Sequence, residues 1–517
     1  MIALGGKPLD LDAFEQIVLY QKEVNLTASA VKEATRSYEF LKAFSRDKLI
    51  YGINTGFGPM AQYRINDEDK RQLQYNLIRS HASGMGDKLN TLQSRAMMLA
   101  RLHTLVLGYS GVHPDLVQLM TDLINHEAYP VVYAHGGVGA SGDLVQLAHL
   151  ALGLIGEGTF WFQGDVVPAQ DVYQQLGLQP LQINGREGLA LMNGTSSMTG
   201  IGGINVIRAH RLVVWSMLLS LMVNEMMEAY DDHFSAELNN VKRHHGQRAV
   251  AEWMRILGDD SRLMRKRHEH LYDKKVTETV VEDKVQEYYS LRCVPQILGP
   301  IFDTVLNAEK VIVDELNSVN DNPVVDYKNQ NIFHGGNFHG DYVALEMDKL
   351  KIAVTKLSML SERQLNFLLN PALNKKLPAF ANAGKLGLNF GIQGMQYPAT
   401  STTAENQTLS NPVYIHSIPN NNDNQDIVSM GTNAAMMCAR VIDNTYEVLA
   451  VEAAALVQAV DIRGIADRLA PATRWMYDGV RNHFPFFKED FSASSHLQAV
   501  KTWMKDTDIV AHFKKKI

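Results

Sequence analysis

The segment 432–462 most narrows what this chain can fold into. Within it Ala435, Cys438, Val441, Ile442, Tyr446, Leu449, Val451 and Ala453 recur at intervals of three and four. That spacing predicts one long helix with an apolar face. Segments 204–231, 290–317 and 341–369 carry the same signature. These helices exceed the roughly 8–20 residues of a common globular helix. Long neighbouring helices favour an extended bundle, and a bundle shared between subunits would account for their length.

The first half differs. Segments 67–83 and 91–107 read as helices. "TFWFQGDVV" (159–167) alternates around Gly164-Asp165 and reads as a hairpin. No internal repeat, low-complexity tract or Pro/Gly-rich linker divides the chain. The expected fold is therefore mainly α: a mixed N-terminal domain over 1–200, then an elongated central helical bundle over 201–517.

Bulk properties exclude several partners. At 46% hydrophobic and 20% charged residues, the 517-residue chain can bury a large core. A net charge of -7 leaves no electrostatic footprint for nucleic acid. The run Lys514-Lys515-Lys516 is expected to be a solvated helix end. The most apolar run, Leu212 to Val223, is too short to span a bilayer and holds two serines, so it reads as a buried helix rather than a membrane anchor. The first residues, "MIALGGKPLDLDAFEQ", lack the basic-then-apolar order of a signal peptide. Cys293 and Cys438 make neither a disulfide framework nor a thiolate zinc site. A cytoplasmic location is the expectation.

One short stretch asks for a chemical explanation. In "HGGVGASGDLVQL" (135–147), residues 137–142 fit G-x-G-x-x-G, behind the valine-bearing run "YPVVYA". A dinucleotide fold also needs a parallel sheet and an acidic residue about 20 positions on. Asp165 has that spacing but sits at the hairpin turn, and no alternating βαβ pattern follows. No Gly-Lys-Ser/Thr follows either, which excludes a P-loop.

Ala140-Ser141-Gly142 allows different chemistry. Glycine lets its backbone nitrogen approach a carbonyl closely. Attack by the Gly142 nitrogen on the Ala140 carbonyl carbon closes a five-membered ring. Loss of water, including the Ser141 hydroxyl, leaves an exocyclic methylidene, an electrophile that no side chain supplies. A helix starting at Asp143 would turn its positive end toward the ring and stabilise negative charge developing there.

Beyond this stretch the sequence resembles the aromatic amino acid ammonia-lyase family, whose members act on histidine, phenylalanine and tyrosine. The resemblance covers nearly the whole chain and rests on ordered blocks: "YGINTGFG" (51–58), "NLIRSHASGMG" (76–86), "GGVGASGDLVQLAHLALGLIGEG" (136–158), "REGLALMNGT" (186–195), "VQEYYSLRCVPQILG" (285–299), "NSVNDNP" (317–323), "HGGNFHGD" (334–341) and "NNNDNQDIVSMG" (420–431).

The resemblance implies that Ala140, Ser141 and Gly142 cyclise unaided to 4-methylideneimidazol-5-one, with no metal and no dissociable cofactor. The substrate amine adds to the methylidene, a β-proton is removed, and ammonia leaves an α,β-unsaturated aryl acid. Tyr51 matches the catalytic base, in a loop whose glycines, Gly58 among them, suggest a mobile cover over the substrate. A tyrosine ordinarily has a pKa near 10, so a positive environment must help it. Arg292 matches the arginine that binds the substrate carboxylate, for which a planar guanidinium is suited. Tyr289, three positions earlier, matches a second active-site tyrosine and would share a helix face with it. Asn193 matches the asparagine near the ring oxygen and the amine. Asn322 matches a further carboxylate or ring contact, and Phe338 an aromatic near the electrophile. In the family these motifs meet only in a homotetramer, each site drawing on three chains. The length resembles the compact bacterial form, without the shielding domain of plant and fungal phenylalanine enzymes.

Two positions bear on the substrate. Ser80-His81 is similar to the pair in histidine enzymes, where phenylalanine enzymes have Phe-Leu and many tyrosine enzymes His-Leu. Gln425 stands where histidine enzymes carry a glutamate for the imidazole, and Asn424-Gln425-Asp426 matches the phenylalanine and tyrosine enzymes. His81 can still partner a phenol, which unpaired in a pocket costs roughly 1–3 kcal/mol. The chain as a whole is similar to bacterial tyrosine ammonia-lyases that carry Ser-His. The expectation is therefore a small aromatic amino acid as partner, namely tyrosine going to 4-coumarate. Histidine going to urocanate and an aromatic 2,3-aminomutase are the alternatives within the class. A nicotinamide-dependent oxidoreductase and a helical scaffold are the alternatives outside it.

Overall fold

The computed structural model describes residues 1–273, 275, 277–281 and 284–514. Helices account for 58% of the residues and strands for 8%. Lys515 and Lys516, part of the basic run expected at a helix end, lie outside the described residues. The last helix, Ile509–Phe513, stops just before Lys514.

The long helices dominate: Ser196–Met227, Val294–Leu316, Asp341–Leu369 and Gly431–Arg463. The last has an alanine-rich interior, "VEAAALVQAV" (451–460), that favours helix intrinsically. It stops because Gly464 takes φ 62°. The Gly464 and Ile465 amides then donate back to the Asp461 and Val460 carbonyls at 3.1 and 3.3 Å, the double closure in which a left-handed residue ends a helix. Ser196–Met227 is long and apolar enough to cross a membrane by composition, yet 89% of its apolar window is buried inside the protein. It is a core helix, and Leu212 to Val223 lie within it.

The chain forms two compact units: Met1–Ile207 with Asn307–Asp348 and Pro412–Ala439, and Arg208–Leu306 with Lys349–Asn411 and Arg440–Ile517. The first division falls at 207/208, inside a long helix, near the 200/201 boundary drawn from the sequence. Two later segments, 307–348 and 412–439, join the first unit, and they carry the blocks around Asn322, Phe338 and Gln425.

The first unit holds the strands. The expected hairpin is Thr159–Phe162 with Asp165–Pro168, in register Thr159↔Pro168 to Phe162↔Asp165. "YPVVYA" divides into Tyr129–Pro130, antiparallel to Thr159–Phe162, and Tyr133–His135, antiparallel to Met85–Lys88. The run before the glycines is thus in antiparallel pairs, not the parallel crossover a dinucleotide site requires. The oxidoreductase reading loses its structural premise.

Candidate active site

Ala140-Ser141-Gly142 sits where distant segments of the first unit converge. Gly139 and Gly142 take φ 80° and 73°. A Cβ on Gly142 would stand 2.1 Å from the Gly194 carbonyl oxygen, so only glycine fits. The next amide, of Asp143, donates to that oxygen at 2.8 Å. The Gly139 carbonyl accepts from the Gly340 amide (3.1 Å) and the Ser429 hydroxyl (3.2 Å). The Asn193 amide donates to the Ser141 carbonyl at 3.1 Å, while its oxygen accepts the Asn322 backbone N–H at 3.0 Å. Gln425 Nε2 donates to the Ser141 hydroxyl at 3.2 Å.

The helix after the triplet begins at Leu144. The Asp143 side chain does not cap it. Its carboxylate instead accepts from the Ser197 and Met198 amides (2.8 and 2.9 Å), in the first turn of Ser196–Met227, and from the Thr432 hydroxyl (2.6 Å). Burial pushes this carboxyl up to about 6, against the pull of those three donors.

Beside the triplet lies a cavity of about 470 Å³. Of the residues singled out from the sequence, Tyr51, Gly58, Ser80, His81, Ser141, Asn193, Asn322, Phe338, Asn424 and Gln425 line it. Gly142 lines an adjoining cavity of about 250 Å³ that shares His81, Ser141 and Gln425. Ala140 is buried one position away. The rest of the main wall is largely apolar, with Phe57, Leu73, Leu77, Leu144 and Leu189, and among the described residues no aspartate or glutamate lines it.

The Tyr51 hydroxyl accepts the Gly58 amide at 3.2 Å, and its ring meets Phe57 edge-on with centroids 6.1 Å apart. His81 ends the helix Lys70–His81, which also brings Leu73, Leu77 and Ser80 to the cavity. Its Nδ1 lies 3.0 Å from the Leu77 carbonyl and 3.0 Å from the Ser80 hydroxyl. A carbonyl only accepts, so Nδ1 donates to Leu77.

Tyr289 and Arg292 belong to the second unit and are not among the residues lining this cavity. They occupy one short helix, Tyr289–Arg292, with the guanidinium 4.5 Å from the Tyr289 ring centroid. The shared face expected from their spacing is present, and Tyr289 is 71% exposed.

Sequence reasoning missed a buried charge cluster. Arg101, Arg186 and Asp321 have fully buried side chains. Arg186 donates to the Ser110 carbonyl (2.7 Å), the Asn322 carbonyl (2.8 Å) and Asp321 (3.3 Å). Arg101 holds the Ala190 carbonyl and Asn320. Two cations against one carboxylate leave an excess positive charge under Asn193 and Asn322. Burial, and then the Arg186 charge, lower the pKa of His334. The signal was an Arg-Glu pair opening the otherwise apolar "REGLALM". Asn421 and Asn422 were also missed as cavity residues. Asn421, Asn422 and Asp423 all take φ between 52° and 56°, a left-handed turn that Asn and Asp tolerate best. It aims Asn424 and Gln425 at the cavity.

Comparison with known proteins agrees with this construction. Residues 9–482 match the family model described as aromatic amino acid lyase. A histidine ammonia-lyase from Geobacillus thermodenitrificans is 38% identical, over 98% of each chain. A tyrosine ammonia-lyase from Cupriavidus metallidurans is 40% identical, over 89% of this chain and 88% of its own. Among solved structures, the tyrosine aminomutase from Streptomyces globisporus superposes with a TM-score of 0.94 at 36% identity, over 100% of this chain and 98% of that one. With the family model spanning most of its length and relatives of this similarity end to end, the chain belongs to the aromatic amino acid lyase family.

Proposed function

We propose that this protein deaminates L-tyrosine to trans-4-coumarate and ammonia with a 4-methylideneimidazol-5-one made from Ala140, Ser141 and Gly142. The residues present fit that group. Gly142 packs where no Cβ is accommodated, and the Ser141 carbonyl, which becomes the ring oxygen, already accepts the Asn193 amide. The group supplies an electrophilic carbon for the substrate amine. Tyr51 removes the β-proton. Asn193 and Asn322 hold the ring oxygen and orient the substrate. Arg292 pairs with the substrate carboxylate and Tyr289 assists at the amine, in a homotetramer whose sites are shared between subunits.

The observation that carries the choice of tyrosine is the contact of His81 Nδ1 with the Leu77 carbonyl. With Nδ1–H given to Leu77, Nε2 is the ring atom left to partner the hydroxyl of a phenol. The apolar wall, with Phe338 at the electrophile, suits an aryl ring. A histidine side chain would meet neutral Gln425, with no carboxylate among the described residues of the wall to hold an imidazolium.

The test is turnover of tyrosine, histidine and phenylalanine by the purified protein, followed by the ultraviolet bands of the unsaturated acids. Tyrosine is expected to be fastest; faster release of urocanate from histidine overturns the assignment. Likeness to a tyrosine aminomutase favours one second reading, a tyrosine 2,3-aminomutase. Accumulation of β-tyrosine in place of 4-coumarate would establish it.

A further inference from the structure

We propose that His339, backed by Asp341, is the general acid that removes the Ala140 oxygen during ring formation. The inference rests on the ring proposed above and adds what drives its closure. His339 Nδ1 lies 3.1 Å from the Ala140 carbonyl oxygen, and its Nε2 lies 3.3 Å from Asp341 Oδ1. Both partners are acceptor oxygens, since a carbonyl and a carboxylate donate nothing. His339 Nδ1 therefore donates to that one carbonyl, with the Asp341 carboxylate beside the other ring nitrogen.

That carbonyl loses its oxygen in the first dehydration. The Gly142 nitrogen bonds to the Ala140 carbon, and the carbonyl oxygen takes a proton from His339 Nδ1. The C–O bond then breaks, water leaves, and a double bond forms between the Ala140 carbon and the Ser141 nitrogen. In net terms the departing water carries the hydrogens of the Gly142 and Ser141 amides, and His339 recovers its proton from them. The second water takes the Ser141 hydroxyl and Cα hydrogen and does not involve His339. No oxidant or reductant enters either step.

The surrounding backbone fixes this contact. The His339 amide donates to the Gly336 carbonyl at 2.9 Å, and the Gly340 amide donates to Gly139 at 3.1 Å. The carbonyl next to Ala140's own residue is therefore tied to the residue after His339. Phe338, one position earlier, faces the cavity instead. One short segment thus offers an aromatic to the substrate side and an acid to the ring-forming side.

Intact-mass spectrometry of the full-length chain, sampled through expression, reads ring formation directly as the loss of two waters. The parent chain is expected to be two waters short. In H339Q, which keeps an N–H donor but no transferable proton, dehydration should slow by about 10²-fold or more. Asp341→Asn should slow it less. Because His339 is partly exposed, added imidazole should restore dehydration in His339→Ala, a rescue that a merely structural histidine would not show. Dehydration of H339Q at the parent rate, or no rescue of the alanine variant, overturns the proposal. A parent chain that has lost no water overturns the ring itself, a failure that the parent spectrum alone identifies.

Discussion

Asp143 in the first unit and Glu228 in the second each accept several hydrogen bonds at a helix end, and their carboxyls move in opposite directions. Asp143 meets two backbone amides and a threonine hydroxyl, and burial carries it up to about 6. Burial also works to raise Glu228, but Lys376 (2.6 Å), Arg265 (2.8 Å) and Arg463 (3.1 Å) bring it down to about 2. Neutral dipoles do not offset the desolvation of the fully buried Asp143 carboxylate, whereas cations outweigh the smaller desolvation of the partly buried Glu228. The difference matches position. Next to the Ala-Ser-Gly loop, the Asp143 carboxylate is held by neutral donors. In the second unit, full charges fasten the end of Ser196–Met227.

Those charges have a local task. Glu228 takes φ 50°, and the Glu228 and Ala229 amides donate to Glu225 and Asn224 at 2.9 and 2.9 Å. This is the same closure that Gly464 makes without strain. A glutamate there costs roughly 1–3 kcal/mol, offset by its cations.

If the first region serves chemistry and the second stability, substitutions should separate the two readouts. Ser141→Ala removes the methylidene source. Activity should fall about 10³-fold or more, with thermal unfolding unchanged. Retained turnover would refute the division. Glu228→Ala should do the reverse, costing about 3 kcal/mol in denaturant titration by stranding three close cations, with ring formation intact by mass. Gln425→Glu alters only the wall. It should shift relative kcat/KM toward histidine by roughly tenfold, about 1.4 kcal/mol. No gain in urocanate would place the discriminator elsewhere.

The smallest effects are slopes of stability against pH. Asp143 binds its proton more tightly when folded, so its contribution falls as pH rises from the ordinary value of 3.8 through about 6; Asp143→Asn should flatten that interval. Glu228 binds its proton less tightly when folded. Its contribution is complete above 4.5 and is lost as pH falls through about 2, and Glu228→Gln should flatten that lower interval. Unfolding midpoints measured across both windows check the two signs.

Much of the fold was legible because helical periodicity is local. Segment 432–462 is helix over Gly431–Arg463, and 341–369 is helix over its full span. The helix expected from residue 204 starts at Ser196, eight positions sooner. "SSMTGIGG" has weak propensity and no apolar rhythm, and its first turn is capped by Asp143, far away in sequence. The motif blocks likewise located Tyr51, Asn193, Asn322 and Gln425, which line one cavity. They did not show that Arg186 lies beneath Asn322, because a buried cation takes its meaning from through-space partners.

The sequence by itself determined the long helices, a glycine that leaves its nitrogen free to reach Ala140, and the neutral side chain of Gln425. These are properties of residue type and of short-range spacing. Only the tertiary structure decided what faces two histidines, the Leu77 carbonyl and Ser80 hydroxyl for His81 and the Ala140 carbonyl and Asp341 carboxylate for His339. An imidazole's tautomer follows from which acceptors face it, and for His339 one of those acceptors comes from a segment that folding alone brings near.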